Sequence, residues 1–383
     1  MDYWNLNLRH LGAHAIVARA GSISAAARII GLTQPAITEA LARLEDRLGL
    51  GLFERIPSGM SPTEAGRLLA GRAEAALARI GSPRVTMAQL RALLAVAESG
   101  GYAGASLATG LAEPSLHRAV RDLSVALRRT LVERRGRSVA LTAGGRRTVR
   151  AFRLARAELV AALSELDALR GRESGRIVVG AMPLSRARLL PGAIAAFHRA
   201  HPGVTVAIVE GSHAELIEPL RDGELDLLVG ALRTPEPGGD VAQQPLFDDH
   251  PIVVSRTGHP LTRTKTPGIA ALARYPWTIA APGTPLRAQW ERMFRESGVA
   301  LPDVPVECGS VMTIRQILLE SDFLTLLSRD QVAVELEAGW LVKLCDTPPG
   351  LKRTIGITTR AGWRPTAAQQ VFLDALKRCA GTL

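Results

Sequence analysis

The stretch GSISAAARIIGLTQPAITEALARLEDRLG, residues 21–49, holds two helical patterns separated by a turn signal. Residues 25–30 read as a short helix, Gly31 permits a tight turn, and Thr33 stands where an N-cap is wanted, with Pro35 tolerated in the first turn behind it. In the second helix Ile37, Leu41, Leu44 and Leu48 recur at helical spacing and face a core. This leaves Gln34, Thr38 and Ala42 on the opposite face, flanked by Glu39 and Arg43. The pattern is a helix-turn-helix. Its outward corner suits a DNA major groove, where a Gln side chain pairs with adenine N6/N7 and a threonine methyl touches thymine; one good bidentate pair discriminates by about 1–3 kcal/mol. A helical hairpin that only packs is the alternative.

Downstream, LGLGLFERIPSGMSPTEAG, residues 48–66, reads as a wing: a short strand through Leu52 and Phe53, a turn at residues 57–59, then a helix capped by Thr63. The whole unit recurs at a constant offset of 79 residues. Leu11/Leu90, Val17/Val96, Gly31/Gly110, Pro35/Pro114, Leu44/Leu123, Arg55/Arg134, Thr63/Thr142 and Gly66/Gly145 are identical pairs, which indicates a duplicated domain. The second copy has drifted: Ala112 replaces the capping Thr33, Glu113 replaces Gln34 and Gly104 replaces Ala25. Basic groups take their place, with His117, Arg118 and Arg121 on the helix and Arg134, Arg135 and Arg137 on the wing, a set suited to phosphates rather than base edges. Neutralising about six phosphates would steepen the salt dependence of binding by roughly 5 units of slope. Copy one is thus expected to read sequence and copy two to grip backbone, unless the second copy is only a spacer.

Charge agrees with this placement. The chain of 383 residues carries a net +11, and 47% hydrophobic with 22% charged residues excludes a wholly disordered chain. A sequence pI near 10.6 points to a polyanion. Residues 1–171 hold 24 Arg and no Lys against 14 acidic residues, whereas residues 172–383 are nearly neutral at +1. Within the basic part, residues 82–171 carry +8 of the excess. Apolar stretches are too short to span a bilayer, and the opening MDYWNLNLRHL lacks the pattern of a signal peptide, so a cytoplasmic protein with no membrane partner is expected. Cys308, Cys345 and Cys379 are odd in number and far apart, which argues against disulfides or a Cys-x-x-Cys metal site.

From Thr142 to Leu169 the chain has no proline, and Phe152, Leu159 and Leu166 stand seven apart with Ala155, Ala162 and Leu169 interleaved. This stripe is enough for a two-helix dimerisation seam, although a helix packed on its own body gives a similar one. Beyond Arg176 strands alternate with helices. Residues 177–179, 204–209 and 225–229 read as strands between helices at 189–200 and 216–222. A second series follows, with strands at 252–254, 304–307 and 324–327 and helices at 287–297, 312–319 and 331–338. A late strand at 352–360 returns toward the first lobe and a helix at 366–378 closes the chain. Alternation of this kind marks mainly parallel sheets, and two α/β lobes joined by crossover strands make a ligand cleft.

The run from residue 8 to 66, with AAARIIGLTQPAITEALARLEDRLGLGLFER at its centre, resembles the winged helix-turn-helix of the LysR-type transcriptional regulators. It departs at Glu39, where that family usually has Arg or Lys. The segments IVVGAMPLSRARLLPGAIAAFHRAHPGVTV, EGSHAELIEPLRDGELDLLVGAL and SRTGHPL resemble the effector domain of the same family, while YPWTIAAPGTPLR and GITTR look like the subgroup of the galactose-binding-protein regulator and of regulators of aromatic acid catabolism. The resemblance implies a fold of two tandem winged helix-turn-helix units, mostly α, followed by a two-lobed α/β domain like the periplasmic binding proteins. The expected layout is a first winged unit at 6–66, a connecting helix and linker at 67–84, a divergent second unit at 85–141, a dimerisation helix at 142–171 and an effector domain at 175–383.

The expected DNA-contacting residues are Ser24, Thr33, Gln34, Pro35, Thr38, Arg43 and Arg55, with the six basic residues of copy two. Family positions lining the cleft fall on residues 182–185, 282–287 and 309–311. Met182, Ser185, Thr284, Arg287 and Ser310 are therefore the expected effector contacts. The hydroxyl residues stand at helix N-termini, where free N–H groups suit an anion, although plain capping is the bland reading of each. The expected partners are double-stranded DNA, a small anionic or sugar-like effector and a second copy, as homodimer or homotetramer, with two-fold pairing implying an inverted-repeat operator. No nucleophile elbow, P-loop or dinucleotide fingerprint is present, and the histidines show no metal-ligand spacing, so an enzyme, a cofactor or a metal is not expected. A solute-binding or enzymatic protein on the same two-lobed fold, and an architectural DNA-binding protein with a vestigial sensor, are the competing readings.

Overall fold

Twelve elements of the first half form two sets in register with the sequence repeat. α1 (Leu8–Ala20), α2 (Ile23–Ile30), α3 (Gln34–Leu48), β1 (Phe53–Ile56), β2 (Gly59–Pro62) and α4 (Glu64–Ile80) make the first set. α5 (Met87–Ser99), α6 (Tyr102–Thr109), α7 (Glu113–Leu127), β3 (Val132–Arg135), β4 (Ser138–Leu141) and α8 (Ala143–Leu169) make the second, each starting 79 residues after its counterpart. These are seen in a computed structural model that describes residues 2–57, 59–136, 138–235 and 238–381. The chain separates into two units, Met1–Gly175 with the short pieces Gly203–Thr205 and Asp222–Glu224, and the remainder.

Each wing is an antiparallel pair, Phe53 opposite Pro62 and Val132 opposite Leu141. The helix after each wing starts the same way. Thr63 and Thr142 accept from the N–H of Gly66 and Gly145 at 3.1 and 2.9 Å. They also donate to the carbonyls of Gly51 and Thr130 at 2.8 and 2.7 Å. Both glycines are required sterically, because a Cβ would stand 2.1 Å from the Leu52 carbonyl oxygen in one copy and 1.9 Å from that of Leu131 in the other.

The apolar stripe of α8 is covered within the chain. Phe152, Leu159 and Leu166 are 0, 0 and 2% exposed and share one core with Leu69, Ala73, Ala76 and Ile80 of α4. The expected dimerisation seam on these three residues is therefore corrected: they are occupied in cis and present nothing to a second chain. A heptad-like stripe demands an apolar partner without saying which one, and the repeat supplies α4. At the edge of this contact Arg72, its side chain 7% exposed, forks onto Glu165 at 3.1 and 2.8 Å and reaches Glu158 at 3.1 Å.

The second unit comprises β5 (Arg176–Ala181), α9 (Leu189–Ala200), β6 (Thr205–Glu210), α10 (His213–Arg221), β7 (Leu227–Ala231), β8 (Val241–Asp249), β9 (Pro251–Arg256), α11 (Ile269–Leu272), β10 (Thr278–Ile279), α12 (Pro285–Glu296), β11 (Val306–Glu307), α13 (Val311–Glu320), β12 (Thr325–Ser328), α14 (Ala333–Glu337), β13 (Leu341–Asp346), β14 (Arg353–Arg360) and α15 (Ala367–Ala380). Lobe one is built on a five-stranded sheet of order β6-β5-β7-β14-β8, lobe two on β12-β9-β13 and the pair β10-β11. Trp277, Trp290 and Phe294 meet edge to face in the core of lobe two. The late strand β14 does return to lobe one, antiparallel between β7 and β8.

Two departures from the sequence reading are informative. Strands β8 and β13 were not expected, because VAQQPLFDD and LVKLCD lack clean alternation; β8 is an edge strand whose outward groups need no apolar pattern. The three-stranded sheet of lobe two is antiparallel rather than parallel. Only His250 separates β8 from β9, so the crossing strand keeps its direction into lobe two and the later strands are laid against it.

Candidate nucleic-acid interface and effector cleft

The candidate base-reading corner of copy one is built by capping. Thr33 accepts from Ala36 N at 3.4 Å and starts α3, and Pro35 sits in its first turn. Ile37, Leu41, Leu44 and Leu48 are buried, which leaves Gln34, Pro35, Thr38, Glu39 and Ala42 lining one shallow depression on the outer face. Thr38 Oγ1 donates back to the Gln34 carbonyl at 3.0 Å, an intrahelical bond that uses the hydroxyl proton and leaves the oxygen lone pairs and the methyl for other contacts. Glu39 pairs with Arg43, so the acidic residue where the family usually has a base also neutralises the neighbouring arginine. Ser24 and Arg55 are exposed on α2 and β1.

Copy two has the same frame with different groups. Ala112 makes no side-chain cap, and Gly101, which precedes α6, makes none either. Gly104, which stands where copy one has Ala25, has a packing reason: a Cβ there would meet Ser99 Cβ at 2.8 Å. Arg118, Arg121, Arg134 and Arg135 are exposed. His117 is exposed but its ring stacks on Tyr102, centroids 3.6 Å apart. Arg137 lies outside the described residues. Arg128 ends α7 in the left-handed conformation, φ 52°, where Gly49 ends α3 at φ 61°.

Between the lobes of the second unit lies a cavity of about 780 Å³ lined by Met182, Thr284 and Ser310 among others. Thr284 caps α12, accepting from Arg287 N at 3.3 Å, and Ser310 caps α13, accepting from Thr313 N at 3.4 Å. Two expected contacts are corrected. Ser185 is fully buried behind the wall and donates to the Met182 carbonyl at 2.8 Å, because the chain folds into a tight turn there. Arg287 is held away from the cavity by Glu291 at 2.9 Å and Glu307 at 3.4 Å and lies 4.9 Å over the Trp290 ring.

Three lining residues were not singled out from the sequence. Arg233, after β7, is partly buried, with its guanidinium pKa pushed down by burial and no carboxylate partner among the described residues. His213, at the start of α10, has a buried Nε2 without a partner; burial, then Arg233 and Arg221, hold its pKa below the ordinary value, so it is neutral at pH 7. Arg353 donates Nε to Asp249 at 2.6 Å while its buried Nη2 finds no partner. A lone Arg after a strand and a His opening a helix carry no sequence signal; their shared cavity does.

Two winged units ahead of a two-lobed domain define a DNA-binding regulator with a sensor. The profile of the bacterial regulatory helix-turn-helix protein, lysR family, matches residues 8–67 and again 87–146, and that of the LysR substrate binding domain matches residues 170–380. The chain is 31% identical over 385 residues to the HTH-type transcriptional regulator GalR of Pseudomonas putida, covering 97% of each, so that alignment runs through both copies. It is 36% identical over 283 residues to the SDS degradation transcriptional activation protein of a Pseudomonas sp., covering 72% of this chain and 90% of that one. A full-length OxyR from Pseudomonas aeruginosa matches with TM-score 0.59 at 25% identity, over 76% of this chain and 94% of that one. The chain belongs to the LysR family and is a ligand-responsive transcriptional regulator, not an enzyme. No helix of the described residues is long and apolar enough to cross a membrane.

Proposed function

We propose that this regulator binds an inverted-repeat operator as a homodimer or homotetramer and senses a small anionic or sugar-like metabolite in the cleft, with a carboxylate as the best fit. The observation that carries the effector class is the surplus of unmatched donors on one cavity, Arg233 and the free Nη2 of Arg353, beside the unpartnered His213 Nε2 and facing the capped starts of α12 and α13. Such donors left unpaired in a low-dielectric cleft favour an anion, and an arginine fork matches a carboxylate in particular. The acidic lining groups do not outnumber them: Glu210 is paired with Arg186, and Glu215, which accepts from Ser212 N at 2.7 Å, still leaves arginine in excess among the lining residues. On the DNA side, Gln34 and Thr38 read bases while Arg118, Arg121, Arg134 and Arg135 of copy two hold phosphates. The effector regulates only through a difference in its affinity for the DNA-competent and incompetent states.

The test is a thermal-shift screen of the full chain against mono- and dicarboxylates and neutral sugars. A carboxylate that raises Tm in the parent and not in Arg233→Ala is the expected result. Stabilisation by neutral sugars alone, undiminished in that variant, would overturn the anionic reading.

A further inference from the structure

α4 and α8 hold the same place in the two copies, and they pack on each other antiparallel: Arg72 meets Glu165 at 2.8 Å and Arg79 meets Glu158 at 3.6 Å. Arg79 and Glu158 are themselves repeat mates, 79 residues apart. When one position of a duplicated helix meets its own counterpart across an antiparallel pair, a two-fold axis runs between them. The buried face obeys the same symmetry, since Ala76 and Ala155, and Ile80 and Leu159, are repeat mates buried in one core.

We infer that the α4–α8 pair is an internal dyad, so that one chain alone is a complete two-reader clamp for duplex DNA and takes one whole arm of the operator with two unlike contacts. This rests on the reading above that α3 and α7 face DNA. The charges at the axis specify α4 against α8 rather than either like pair. Two α4 helices from different chains would set Arg79 against Arg79, and two α8 helices Glu158 against Glu158; only α4 with α8 brings opposite signs together. Arg72 strengthens the bias, because its repeat mate is Ala151 and the mate of its partner Glu165 is Thr86, so neither like pair can form that fork. The link from α4 to α5 is short, residues 81–86, which keeps the second copy beside the first. Paired helix-turn-helix units related by a two-fold address half-sites about one helical turn, or a multiple, apart on the duplex. Here the halves differ, because Gln34 and Thr38 at one corner correspond to Glu113 and His117 at the other. Association of chains into a larger regulator then uses surfaces other than the buried stripe of α8.

The test counts chains on DNA. The full chain selects its operator from random duplexes, and the selected sequence is cut down to one arm. Native mass spectrometry is expected to show one chain per arm, and hydroxyl-radical footprinting two protected patches. Gln34→Ala should erase base preference at one patch, and Arg118→Ala with Arg121→Ala should weaken protection at the other alone. Two chains per arm, or a single patch, overturns the inference while leaving DNA reading intact; a chain that selects no DNA overturns both. A second experiment without DNA guards against misfolded variants. In a background with Cys308, Cys345 and Cys379 changed to Ser, Arg79→Cys with Glu158→Cys treated with a short bis-maleimide should give an internally cross-linked monomer. A cross-linked dimer overturns the internal dyad.

Discussion

Copy one and copy two begin every element at the same offset, yet few of their exposed or capping groups agree. Thr33 caps α3 where Ala112 caps nothing, Gly49 is relaxed at positive φ where Arg128 is strained, and His14 is buried where its counterpart Leu93 is apolar. The comparison teaches that the winged frame is held by Leu, Ala and Gly positions shared between copies, together with the Thr63 and Thr142 caps, while the start and end of the recognition-type helix and the outer faces change chemistry. Under the function proposed above, the two copies divide two jobs, base reading and backbone gripping, that a single winged unit performs together.

The largest effect is expected where the copies meet. Arg72→Ala strips the fork from Glu165 and the hydrogen bond from Glu158, both largely buried, and should cost about 3–5 kcal/mol in urea unfolding of the full chain. A drop below about 1 kcal/mol would show that the apolar stripe alone holds the pair. Next comes a pH effect confined to copy one. His14 Nε2 lies 3.0 Å from the Gly66 carbonyl oxygen, and burial pushes its pKa down to about 4. A histidine depressed on folding contributes full stability above its unfolded pKa near 6.5 and loses it as pH falls toward 4, about 3 kcal/mol in all. His14→Leu, the solution copy two uses, should flatten that slope between pH 6.5 and 4; an unchanged slope would assign the acid sensitivity elsewhere.

Two DNA measurements sharpen the division of labour. Gln34→Ala should lose about 1–3 kcal/mol of discrimination between operator and competitor DNA with no change in salt slope. Replacing Arg118, Arg121 and Arg134 together should instead weaken all sequences alike and flatten the slope by about 0.9 for each phosphate no longer neutralised. If the two sets of variants behave identically, the copies do the same work. The smallest effect concerns Arg128, where Gly should relieve left-handed strain and raise stability by about 1 kcal/mol. Weaker DNA binding in that variant would show that the strained arginine is held in place to touch DNA.

Legibility followed the range of the interactions. Gly31, Thr33 and Pro35 signal a turn and a cap through neighbours a few residues away, and the observed α3 starts as those residues predict. The same local rule placed Thr284 and Ser310 at helix starts. It misplaced Arg287, because a first-turn arginine looks alike whether it faces a ligand or folds back on Glu291 and Glu307, and it misplaced Ser185, whose turn draws the hydroxyl inward.

The duplication, the helix-turn-helix, the basic second copy and the two-lobed sensor were determined by sequence alone, because periodicity, capping and charge are properties of contiguous residues. Only the tertiary structure decided what covers the stripe of Phe152, Leu159 and Leu166, since an apolar face accepts any apolar partner and α4 of the same chain, facing it with Ala76 and Ile80, takes the place. Tertiary structure likewise brought Arg353 to the cavity shared with Arg233 and His213, because β14 closes between β7 and β8 more than a hundred residues downstream of both.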